Sequence, residues 1–156
     1  MQWQMRVPDN PEWLPTFLIE PLKMVQPSDT SSSWIAGPER WLPDDQIYPY
    51  RTSFTVDAPG AVELRLKARL MADDSLTEAR LDGRVVWQPS EAQLAVAEPW
   101  GREFVEIEFT RVVQPGTHVL EFDTRNYVRR SGKRKDNDTG FRAEFDAVLI
   151  RRGVAY

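Results

Sequence analysis

Nine consecutive residues, VELRLKARL at 62–70, alternate without a break: Val62, Leu64, Leu66, Ala68 and Leu70 fall on one side, Glu63, Arg65, Lys67 and Arg69 on the other. A period of two sends successive side chains to opposite faces of an extended chain. The stretch predicts a strand with one buried and one solvated face, which is the pattern of an antiparallel sheet rather than a parallel one.

The same period recurs from Tyr50 onward. RTSFTV at 51–56 sets Phe54 and Val56 together, and DAPGA at 57–61 reads as a turn built on Pro59 and Gly60. In LTEARLDGRVVW, Asp82 and Gly83 suit the two positive φ values of a type I′ turn between Leu81 and the run Val85, Val86, Trp87. EFVEIEFT aligns Val105, Ile107 and Phe109. VVQPGTHVLEFDT turns at Pro115 and Gly116 into a strand with Leu120 and Phe122. FRAEFDAVLI aligns Phe141, Ala143, Phe145, Ala147 and Leu149, while 88–101 reads as a long connection with a short helical turn in SEAQLAVA. Some seven strands, turn signals between them and no crossover helices predict an all-β fold, an antiparallel jelly-roll β-sandwich.

Residues 1–30 differ from the rest. Five of the twelve prolines fall here (8, 11, 15, 21 and 27), too close for a helix or a central strand, yet Trp3, Trp13, Leu14, Phe17, Leu18 and Ile19 need burial. The expected organisation is an extended Pro-rich N-terminal arm over 1–30, lying on its own domain or on a neighbouring subunit, followed by the sandwich over 31–156. PSDTSSS at 27–33 reads as a loop.

Taken together, WIAGPERW, YPYRTSFTV, LRLKARLMADDSLTEARLDGRVVW, VVQPGTHVLEFDTRNY and GFRAEFDAVLI resemble the galactose-binding-like jelly-roll modules. These are sandwiches of the carbohydrate-binding type, with relatives among phage structural proteins. The resemblance spans Trp34 to Ile150. It implies that Asp73 and Asp74 match the family's loop aspartates, which bond backbone amides at a strand-to-strand corner, as Asx side chains do.

Several residue groups invite a chemical reading. Asp73, Asp74 and Glu78 are the candidates for the acid and base of a glycosidase, set against the corner role. His118 lacks a Gly-x-Ser-x-Gly elbow and reads as a strand-edge histidine. Asp136 and Asp138 in DNDTG are a weak calcium candidate against an ordinary polar turn; no other cofactor is expected. With no cysteine and one histidine, thiol chemistry and most zinc sites are excluded. RRSGKRK concentrates Arg129, Arg130, Lys133, Arg134 and Lys135 inside a chain of net charge -4. It reads as a solvated loop or a docking element for an acidic partner, with nucleic acid unlikely because no aromatics interleave for base stacking. Trp3, Trp13, Phe17 and Trp41, in Pro-rich surroundings, are the candidate aromatic anchors of an assembly interface.

The N-terminus carries no basic start followed by an apolar run. No membrane span and no signal peptide are expected, so the protein should be made in the cytoplasm and reside there or on a virion. The leading functional expectation is a non-catalytic structural or assembly protein, a phage virion component of the tail or capsid-accessory kind, whose partners are copies of itself or other particle proteins. A glycan-binding module is the alternative and a small glycosidase-like enzyme the third.

Overall fold

The structure, a computed structural model, describes residues 2–19, 32–38, 41–43, 45–91, 104–126, 136–138 and 140–151. It contains two antiparallel sheets. The six-stranded sheet is built from β1 (Trp3–Met5), β2 (Leu14–Pro15), β6 (Gln46–Val56), β8 (Ser75–Leu81), β9 (Arg84–Trp87) and β11 (Gly116–Asn126), in the order β2-β1-β6-β11-β8-β9. The five-stranded sheet contains β3 (Phe17–Ile19), β4 (Trp34–Ala36), β7 (Val62–Asp73), β10 (Val105–Val113) and β13 (Gly140–Arg151), in the order β10-β7-β13-β4-β3. A small ribbon pairs β5 (Trp41–Pro43) with β12 (Asp136–Asp138).

The alternation in 62–70 becomes the spine of the second sheet. Val62, Leu64, Leu66, Ala68 and Leu70 are all buried, and their charged neighbours face outward. β10 on one side and β13 on the other match this register, so Phe109 and Ala147 both lie opposite Leu66. From the facing sheet come Tyr48, Tyr50, Leu120 and Phe122, each no more than 1% exposed. Phe141 is the hub: its ring lies 5.0 Å from Tyr50, 5.4 Å from Phe122 and 5.3 Å from Trp3. Fully burying each such side chain stabilises the fold by about 1.5–3 kcal/mol.

Of the two places where the Pro-rich segment could be buried, residues 2–19 occupy the first, their own domain. β1 joins the edge of β6 through Trp3–Thr52, Gln4–Arg51 and Met5–Tyr50, and puts Met5 at 0% exposure. After a turn in which Asp9 has φ 64°, β2 folds back on β1, and β3 then pairs with β4 at the edge of the other sheet. Pro15 is tolerated because β2 is an edge strand. Three strands of two or three residues thus brace both sheets. The helical turn expected in 90–97 lies outside the described residues except for its first two positions.

Glycine matters sterically at Gly140. A Cβ on Gly140 would meet Cε3 of the buried Trp34 at 2.9 Å, so the indole packs close against this backbone.

Candidate functional site

The outer face of the six-stranded sheet carries a continuous row of polar side chains. Gln4, Arg51, Glu121 and Arg80 lie side by side across β1, β6, β11 and β8. Arg51 donates from Nε to Gln4 Oε1 at 2.8 Å, and its guanidinium lies 4.1 Å from the centre of the Trp13 ring, which Arg6 also covers at 5.2 Å. Burial lowers the Arg51 pKa, assisted by Arg6 and opposed by Glu121.

Arg80 is held by several carboxylates on this face. It forks onto Asp123, with Nη1 2.9 Å from Oδ2 and Nη2 2.6 Å from Oδ1, and also bonds Glu78. Glu121 stands 3.8 Å from its Nε. Burial works against the charge on Arg80, but its hydrogen bonds to Asp123 and Glu78 outweigh it and raise the pKa. Gln88 ties off the other Glu78 oxygen at 2.7 Å. One step further along β11, Arg125 reaches Asp45 at 2.5 Å.

A groove of about 1100 Å³ runs over this face, walled by the loop 6–11. Its two sides differ: Val7, Pro8, Ile47 and Pro49 present carbon, while Arg80, Glu121, Asp123 and Arg125 present charge. The arrangement offers fixed donors and acceptors beside an apolar strip, the combination that recognises amphipathic ligands.

The sequence-derived candidates do not converge here. Trp3 points into the core against Phe122, Phe141 and Phe145. Trp13 lies under two guanidinium groups, and Phe17 is 53% exposed on β3 of the other sheet. Trp41, Asp136 and Asp138 lie in the β5–β12 ribbon, their side chains outside the described residues. Arg129, Arg130, Lys133, Arg134 and Lys135 also fall outside them. No group of three or more His, Cys, Asp or Glu side chains that could hold a metal occurs among the described residues.

Asp73 ends β7, and Asp74, 5% exposed, joins it to β8 with its amide donating to the Arg125 carbonyl at 3.3 Å. Asp82 and Gly83, at φ 51° and 74°, form the two-residue turn between β8 and β9. Asp82 also holds a partner that the sequence does not suggest. His118 is 8% exposed near the start of β11, and its Nδ1 is 2.7 Å from Asp82 Oδ2. Its Nε2 is 2.8 Å from the Gln114 carbonyl oxygen. A histidine–aspartate pair resembles half of a hydrolase triad, but here the nitrogen that would serve a nucleophile is occupied.

No family model matches the chain, and no curated protein matches it.

Proposed function

We propose that this chain is a non-catalytic assembly module, a structural component of a larger particle of the phage tail or capsid-accessory kind. In this reading its strands follow the jelly-roll course of the galactose-binding-like modules, and its contact with neighbouring copies is made along β3. The observation that carries the reading is the exposure of Phe17 and Leu18, 53% and 76%, on a strand at the edge of its sheet. An apolar strand with one side free among the described residues invites pairing with another chain, and aromatic and aliphatic anchors dominate such contacts.

Light scattering on the purified chain tests it. The wild type should form a defined oligomer, and Phe17→Ser with Leu18→Asn should yield a folded monomer. A wild type that stays monomeric at every soluble concentration, or an oligomer untouched by both substitutions, would overturn the reading.

A second reading, a glycan-binding module, is favoured by the groove. A pyranose offers a C–H face for Ile47 and Pro49 and hydroxyl groups for Glu121 and Arg125. Binding on a glycan array, lost in Glu121→Gln and Arg125→Ala, would establish it; a blank array would remove it.

A further inference from the structure

His118 lies against Phe54, ring centroids 5.5 Å apart, with an oxygen facing each ring nitrogen. The Gln114 carbonyl can only accept a hydrogen bond. The Asp82 carboxylate also only accepts while ionised, and its Oδ1 already receives the Val119 N–H at 2.9 Å. A neutral imidazole has one N–H and one lone pair. Either tautomer would therefore set a nitrogen lone pair against an oxygen lone pair at under 3 Å. The doubly protonated ring satisfies both acceptors, so the pocket is complementary to the imidazolium alone.

These bonds join segments that are distant in sequence. Asp82 is the first residue of the β8–β9 turn, and its own amide donates to the Val119 carbonyl at 2.9 Å. Gln114 opens the turn between β10 and β11. Among the described residues the charged groups that bear on the ring are Asp82 and, through Asp82, Arg84; β6 presents the uncharged Phe54, and the β10–β11 turn presents a backbone carbonyl.

We propose that His118, Asp82 and the Gln114 carbonyl form a proton-held clasp that fastens the β8–β9 hairpin to the β10–β11 turn and loosens when the imidazolium loses its proton. The hairpin is where loosening has most effect: among the described residues β9 is an edge strand paired with β8 alone, and Arg80 and Gly83 from this hairpin border the groove. The supporting electrostatics agree. Burial pulls the His118 pKa down, but the bonds to Asp82 and Gln114 raise it above the ordinary value; burial pushes Asp82 up, and the His118 and Val119 bonds take it below. The clasp is therefore closed between the depressed titration of Asp82 and the elevated titration of His118. It is independent of either reading of the function.

The single histidine makes the test direct. Nitrogen-15 NMR of the intact chain should show both ring nitrogens protonated at neutral pH, with a midpoint above the free imidazole value. Hydrogen-exchange protection at amides 81–87, corrected for intrinsic exchange, should fall as pH rises through that midpoint, and His118→Gln should abolish the dependence. Asp82→Asn keeps the turn conformation and an acceptor for Val119 while removing the charge; it should lower the His118 midpoint by about one unit or more, and the loss of protection should move with it. A single protonated ring nitrogen below the free imidazole value, a midpoint unmoved in Asp82→Asn, or protection indifferent to the titration would each overturn the clasp.

Discussion

Asp82 performs two tasks that different substitutions separate. Its backbone sits in the left-handed region at φ 51°, which Asn and Asp tolerate and Ala resists by about 1–2 kcal/mol. Its carboxylate holds Val119 and His118, and a hydrogen bond involving a charged group contributes about 1.5–3 kcal/mol. Urea denaturation at neutral pH should therefore rank the variants wild type, then Asp82→Asn, then Asp82→Ala, with Ala destabilised by about 3 kcal/mol. The pH dependence has a definite sign. His118 has a raised folded pKa, so its contribution is fully present below the unfolded imidazole value of about 6.5 and is lost as pH climbs through the folded one. Asp82 has a lowered folded pKa, so its contribution is present above about 3.9 and is lost as pH falls through the folded one. The denaturation midpoint should thus decline on the alkaline side of His118 in the wild type, and His118→Gln should flatten that limb. At the neighbouring cluster, Asp123→Asn keeps the shape but removes the charge gripped by Arg80, and should cost about 1–3 kcal/mol in the same assay.

At the scale of elements, period and length decide what a sequence discloses. β7 runs for twelve residues and its alternation is unbroken over nine of them, so its faces are readable directly. The turn at Asp82 and Gly83 is equally local, because the φ values it needs belong to those two residues. β1, β2 and β3 have two or three residues each, too few to show a period, and the prolines between them read as an irregular arm. Met5 gave no sign of its 0% exposure, since its burial depends on pairing with Tyr50, 45 residues away. The groove was hidden for the same reason: Arg51, Glu121 and Arg80 become neighbours only once three strands are in register. If β1 is a working strand, Met5→Ala should cost about 2–5 kcal/mol, the ordinary consequence of hollowing a core; an arm resting loosely on the surface would lose well under 1 kcal/mol.

For the molecule as a whole, residues 2–19 are the only described segment that reaches the outer edges of both sheets on one side. β1 flanks β6 and carries β2 outside it, and β3 flanks β4. The Trp3 ring packs against Phe122 of one sheet and against Phe141 and Phe145 of the other, 5.3–6.0 Å away. Removing this segment would uncover aromatic rings shared by the two sheets and leave the edge of β6 unpaired, so the damage would not stay local. Deletion of residues 1–19 is therefore expected to yield a chain without a cooperative thermal transition and with dye-accessible apolar surface. The intact protein should show coincident loss of far-ultraviolet dichroism and tryptophan fluorescence, because the strands added by this segment and the core they cover unfold together. A truncated chain that melts cooperatively near the wild-type temperature would mean that the sandwich is complete without its N-terminal strands. The stability contributed by Met5 and Trp3 would then have to be local to the segment itself.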